Sequence, residues 1–350
     1  MNTNDALELL GRERRLANAD LSAADLSRQD LSNCHFDHVR MPAANLCGTN
    51  LAGVVMQHCD LRGARLTQAN LTGSQFTQVG MQEALLDAAN AAEANWSQVD
   101  LTGAHAQAAD FSQSFFDNCT WASAHLAGAK LFKVSFHDCV MVGTDLCGAD
   151  LTRWTVMDTD LSSVNFVQAR LIQAYLRSCN LAGQRFTGCD LTMTLFNEAR
   201  LQGADFSGLT LDRTSFMGAH LQQAKLVAVR GSYTALLGAN LGQADLSDAV
   251  FKMADASDAD LTASNCSGSR WQMCMLQRVK AMHAQFANAS LVYCDLSHAD
   301  LSAADFSRAD LSGANLHAIL GSGTRWEGAQ REGVRETDEP LARAERWQPA

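Results

Sequence analysis

The chain is predicted to be all-β, a quadrilateral β-helix of about 15 coils of 20 residues with short helical caps. Three observations predict it. Stepping by five from Leu16 reaches Leu316 without an insertion or deletion, and 51 of these 61 central positions are Leu, Phe or Met. A helix cannot use that spacing, because a five-residue step turns about 140° at 3.6 residues per turn and would wind the leucines around it. Second, the residue two before the central one is small, and in extended backbone these two face the same way. Third, of 13 central phenylalanines six (Phe36, Phe76, Phe116, Phe136, Phe196, Phe216) share one position modulo 20 and five (Phe166, Phe186, Phe206, Phe286, Phe306) lie ten away. A coil therefore has four five-residue walls, with aromatic columns on two opposite ones.

The first element, residues 1–15, reads as a capping helix over residues 5–14, with Asn4 or Asp5 as N-cap and Leu7 and Leu10 on one side. A solenoid end exposes apolar core and open strand edges, and this helix is the natural plug. Residues 16–320 form the solenoid. Its corners need φ > 0, and glycines such as Gly48, Gly53, Gly63, Gly73, Gly128, Gly148, Gly188 and Gly313 occupy them. Large residues face small ones ten positions away, Trp96 with Ala106 and Trp271 with Ala281. Residues 20 apart stack at about 4.8 Å, so columns such as Asp20–Arg40–Asp60, Arg185–Asp205–Lys225–Asp245 and Asp260–Lys280–Asp300 alternate in sign and avoid like-charge contact. Two places depart from the pattern. Trp154 fills a small-residue site beside Arg153, which predicts a bulge. Around Gly231 the run RGSYTALL, with Arg230 and Tyr233, lacks a central side chain. Gln29 and Gln184 fall on small inward positions and need buried partners. Residues 321–350 form a cap or tail, with a short helix over residues 337–347 and Pro340 in its first turn.

Residues 298–316 read HADLSAADFSRADLSGANL, four copies of A-(D/N)-(L/F)-(S/T)-X. In this the chain resembles the pentapeptide-repeat proteins over nearly its full length. The resemblance implies that the quadrilateral β-helix is right-handed. It also implies two uses for the C-terminal end, a homodimer interface involving Leu341 and Trp347 or a plain cap, and both stay open.

The formal charge is −11 and hydrophobic residues make up 47% of the chain. Eight of the 11 cysteines (Cys34, Cys59, Cys119, Cys139, Cys179, Cys189, Cys274, Cys294) fall on the small inward site, where cysteine stands in for alanine; Cys266 is central, and Cys47 and Cys147 face outward. Free buried thiols, no apolar signal core at the N-terminus and no run long enough to span a bilayer lead to the expectation of a cytoplasmic protein without membrane contact. No catalytic motif, cofactor-binding fingerprint or metal-ligand pattern occurs. All ten histidines map outward; His38/His58 and His105/His125 stack in columns, without an evident third ligand. No catalytic, cofactor or metal residue is therefore assigned, and a filled solenoid offers no deep cleft to a substrate.

Two functional readings follow. Well-known members of the resembling family mimic duplex DNA and bind type II topoisomerases. Duplex DNA carries one charge per roughly 1.7 Å. Residues 16–316 hold 29 acids and 19 bases, which over a rod of about 70 Å is one net charge per about 7 Å. The distribution is banded, 11 acids and 3 bases over residues 82–160 against 4 acids and 7 bases over residues 161–235. The favoured reading is a non-catalytic scaffold that docks a protein partner of unknown identity and does not bind nucleic acid directly. The unbroken register resembles bacterial accessory proteins of type VI secretion clusters. DNA-mimicking regulation or protection of gyrase is the alternative. The interaction candidates are Arg153, Trp154, Arg230, Tyr233, Leu341 and Trp347.

Overall fold

The computed structural model describes residues 3–345 and 347. It divides into two compact units, Met1–Tyr175 and Leu176–Ala350, each an all-parallel β-solenoid. In the first, helix α1 (Thr3–Glu13) leads into β1 (Arg15–Ala17), β2 (His35–Asp37), β3 (Val55–Gln57), β4 (Gln75–Thr77), β5 (Asn95–Ser97), β6 (Phe115–Asp117), β7 (Ser135–His137) and β8 (Thr155–Val156). These strands build one eight-stranded wall in a strict 20-residue register, Leu16 opposite Phe36 and Phe36 opposite Met56. The other walls are held by single parallel bridges such as Asp20 to Arg40 and Asp25 to Asn45. In the second unit β9 (Arg230–Ser232), β10 (Val250–Lys252) and β11 (Arg270–Gln272) form a three-stranded wall, and helix α2 (Glu339–Glu345) follows the last coil.

Each corner is a residue with positive φ, two after the central one. Gly48 (64°) and Gly313 (67°) do this without strain, but Ala23 (55°), Arg28 (58°) and Tyr233 (58°) do it too. A non-glycine residue there costs about 1–2 kcal/mol. Two backbone bonds offset it. Ala23 N–H reaches Pro42 O on the next coil at 2.9 Å, and Ala24 N–H closes the turn on Leu21 O at 3.0 Å. No position in the corner series from 18 to 318 is Val, Ile or Thr, the residues that left-handed backbone tolerates least.

The rest of the motif has equally local causes. The Asp or Asn before the central residue accepts the amide two residues on: Asp25 Oδ1 from Ser27 N–H at 3.1 Å, Asp305 Oδ1 from Ser307 N–H at 2.9 Å. A following Thr adds its hydroxyl, as from Thr102 to Asp100 at 2.6 Å and Thr152 to Asp150 at 2.6 Å. At the small inward site, hydroxyls and thiols donate to the carbonyl 23 residues back, Thr49 to Leu26 O at 2.8 Å and Cys59 to Phe36 O at 3.6 Å. Inside, aromatic rings stack coil on coil. Trp96 lies between Phe76 (4.2 Å) and Phe116 (5.5 Å), and Phe286 lies on Phe306 (4.8 Å). At Gly231 an added Cβ would run into the Thr234 hydroxyl and sit 3.3 Å from Phe251 Cδ1, so Thr234 and Phe251 occupy the missing side chain's space.

Several expectations are corrected. Helix α1 starts at Thr3, so Asn4 and Asp5 lie inside it, and Ala6 rather than Leu7 shares the buried face with Leu10. Gln29 is exposed, its Nε2 donating to Ser27 O at 3.4 Å, because an outward turn spares its amide burial. Gln184 is buried and accepts Arg185 N–H at 3.2 Å. At Trp154, β8 shortens to two residues and the indole is buried against Phe136, with ring centroids 5.6 Å apart. Among the described residues of the three charge columns, only Asp20–Arg40 closes an ion pair, at 3.4 Å, while Asp60 turns to Arg62 at 2.8 Å. The coil runs to Arg335, beyond residue 320: Leu311 N–H bonds Gln330 O and Leu316 N–H bonds Arg335 O, both at 2.8 Å, and Gly323, Gly328 and Gly333 supply its corners. Helix α2 is shorter than expected, with Asp338 as its N-cap through Leu341 N–H at 3.0 Å.

Two outcomes are expected. Ala43→Val, at a corner with φ of 55°, lowers unfolding free energy by about 1–2 kcal/mol in chemical denaturation, whereas Ala43→Gly does not. Hydroxyl and then amide hydrogen bonds from the following serine hold Asp20, Asp25, Asp30 and Asp305 below the usual carboxylate range. A depressed native pKa contributes stability above the unfolded value, near 4, and loses it as pH falls through the lower native values. Thermal melts from neutral to strongly acidic pH therefore fall below about pH 4, and replacing these four residues by Asn flattens that limb.

Candidate functional site

The cores are filled, so contact with any partner falls to the outer surface. One feature there is a trough of about 610 Å³ along the β9–β11 wall of the second unit. Each strand has its middle residue inward and its two flanking residues outward, so one edge of the trough is the column Thr210, Arg230, Val250, Arg270, Ser290 and the other is Asp212, Ser232, Lys252, Gln272, Val292. The adjoining corner column runs Arg213, Tyr233, Met253, Met273, Tyr293, all exposed, with Tyr233 at 58% and Tyr293 at 67%. The Tyr293 ring lies over Gly313, where an added Cβ would sit 2.5 Å from Cδ1. That corner needs glycine for this contact as well as for its backbone.

The trough and its adjoining corner gather four cations. Elsewhere some cations meet the carboxylate one coil away, Lys130 with Asp110 (3.4 Å), Arg170 with Asp150 (3.7 Å), Arg278 with Asp258 (2.6 Å) and Arg325 with Asp305 (3.1 Å), while others such as Arg28, Arg65 and Lys280 join no ion pair among the described residues. Among the described residues, Arg213, Arg230, Lys252 and Arg270 join no ion pair. Asp212, the trough's own carboxylate, accepts Ser232 N–H at 2.7 Å. Arg230 and Arg270 stand two coils apart, about 10 Å, where mutual repulsion across water is about 0.4 kcal/mol. The fold tolerates that cost, and the cations stay available.

The structure thus brings Arg230 and Tyr233 together and adds Lys252, Arg270, Met253, Met273 and Tyr293. Stepping by 20 along the corner and flanking positions would have revealed them. Arg153 is exposed and donates to Gln173 Oε1 at 2.8 Å, whereas Trp154 is fully buried and presents no side-chain surface. Leu341 and Trp347 are exposed near the C-terminal end, at 48% and 73%.

That end holds a second constellation. His317 was expected outside, but α2 covers it and leaves it 7% exposed. Its Nδ1 accepts the amide of Asp338, the N-cap of α2, at 3.1 Å, which places the ring proton on Nε2, 3.1 Å from Glu345 Oε2 at the helix's far end. One imidazole thus pins both ends of a seven-residue helix. His298 Nε2 approaches the same carboxylate at 3.5 Å. Burial pushes the Cys59 thiol up to about 11 and the Cys266 thiol up to about 12, so these cysteines are protonated core residues rather than nucleophiles. No helix among the described residues is long and apolar enough to cross a membrane.

Fold and surface together define a parallel β-solenoid whose recognisable features lie on its outer walls. The chain belongs to the pentapeptide repeat family: the pentapeptide-repeats model matches residues 15–53, 43–78, 81–118, 232–271 and 282–317, and the pentapeptide-repeat-region model matches residues 129–206 and 159–234. A search of curated proteins finds no match. Among solved structures the chain is similar to QnrB1, a plasmid-mediated fluoroquinolone resistance protein, at 17% identity over 56% of this chain and 97% of that one, with a TM-score of 0.40. It is also similar to HetL, involved in heterocyst differentiation regulation in the cyanobacterium Nostoc, at 20% identity over 97% and 98% of the two chains with a TM-score of 0.19. A third likeness is to a thylakoid-lumen pentapeptide repeat protein of Arabidopsis thaliana, at 28% identity over 37% and 70% with a TM-score of 0.19.

His317→Ala is expected to free α2. Amide hydrogen exchange over residues 339–345 should rise at least ten-fold while the coil amides of residues 296–316 keep their protection.

Proposed function

We propose that the protein is a non-catalytic scaffold that docks a protein partner on the β9–β11 wall of its second unit. The observation that carries this reading is the gathering on one wall of four cations, none in an ion pair among the described residues, beside an exposed Tyr/Met column. Tyr, Met and Arg are the residues enriched in protein interfaces. Such a surface suits a partner segment that pairs carboxylates with apolar side chains. It does not suit DNA mimicry, which needs continuous negative charge. The free, largely buried thiols support a reducing compartment, and the cytoplasm is the proposed location.

The specific form to test first is an accessory role in bacterial type VI secretion. Secretion components are expected to co-purify with the tagged chain and to be lost with the Arg230→Glu/Arg270→Glu variant. Absence of secretion components from the eluate would end the secretion version. Potent inhibition of gyrase supercoiling by the purified protein would replace the scaffold by the DNA-mimic reading.

A further inference from the structure

Two histidines of the first unit, His38 and His58, occupy successive corners one coil apart, with φ of 54° at each. Their backbones are fixed by bonds to the following coil, His38 N–H to Gln57 O and His58 N–H to Thr77 O, both at 3.0 Å. The rings stack with centroids 4.4 Å apart. The third group is Asp37, which follows the central residue of β2: its Oδ1 lies 2.8 Å from His38 Nδ1 and 3.3 Å from His58 Nδ1. All three ligand atoms lie within 4.8 Å of one another.

We infer that Asp37, His38 and His58 form a binding site for a divalent first-row transition metal of the zinc type. Ligands about 2.0–2.1 Å from a tetrahedral zinc lie about 3.3 Å from one another. The Asp37–His58 separation already matches, and the Asp37–His38 pair has to open by about 0.5 Å to reach that spacing. Both rings are roughly half exposed, so they have room to move. In the free protein both Nδ1 atoms donate to the Asp37 carboxylate, so metal entry replaces these two hydrogen bonds and moves each ring proton to Nε2 with no net release. One carboxylate and two imidazoles leave a fourth position for water. Within these two columns the neighbouring coils carry no charge: the corner column continues as Asn18 and Gln78, and the column of Asp37 continues as Ala17, Gln57 and Thr77.

Two other histidine sets show what is particular here. At His298, His317 and Glu345 the Asp338 amide already engages His317 Nδ1 and keeps the proton on Nε2, the atom a metal would need. His105 and His125 stack at 4.7 Å, but the next residue of their column, Asp145, accepts from Asn165 Nδ2 at 2.8 Å and from Cys147 N–H at 3.1 Å.

The test is calorimetric titration of zinc into the full, metal-stripped chain in a non-chelating buffer, alongside imidazole 15N spectra. One equivalent is expected to bind. Affinity should fall at least ten-fold in His58→Ala and in Asp37→Asn, with unchanged circular dichroism, and stay the same in His105→Ala. Zinc should shift the Nδ1 resonances of His38 and His58. Failure of the wild-type chain to take up zinc, or uptake undiminished in the His38→Ala/His58→Ala variant, would overturn the assignment.

Discussion

The structure depends on a backbone constraint repeated every five residues, a corner held at positive φ. A strand cannot turn a right angle without such a residue, and the energy that holds it there comes from the coil beyond. Ala23 and Gly48 both donate their amides across to the next coil, at 2.9 and 3.0 Å. One donor there lacks a side chain and one has it, so the bond rather than the glycine secures the corner. Packing then follows. With corners fixed, each wall presents its central and small residues inward, and the rings of Phe76, Trp96 and Phe116 have no choice but to stack.

The same constraint explains how much was legible in advance. The five-residue period, the four walls, the small-site cysteines and the glycine corners are local or strictly periodic, and a single sequence displays them. Readings that depended on one side chain's choice fared differently. Gln29 turned outward to keep its amide in water, and Trp154 fills the inward site expected of it but, fully buried, offers no surface to a partner. The last coil was missed because Arg325 and Gln330 replace the usual Asp or Asn, yet Gly323, Gly328 and Gly333 kept the spacing in plain view.

The sites were less legible than the fold, for a physical reason. Outward residues are under no packing rule, so what they form together depends on which of them go without partners. Arg230 and Tyr233 could be singled out because RGSYTALL breaks the motif. Lys252, Arg270 and Tyr293 break nothing, and they stand out only because they share one wall and corner with Arg230 and Tyr233. His317 reversed its expected exposure because α2, whose position no period encodes, folds over it.

One consequence lies in the corners that carry Arg, Tyr, Met and His. Their side chains project from vertices, where the fold asks only that the residue not branch at Cβ. The architecture therefore separates what must be kept from what is free to drift. A new binding face can arise by exchanging single letters at 20-residue intervals without disturbing the interior, so kinship in this family records the chassis and says little about the cargo.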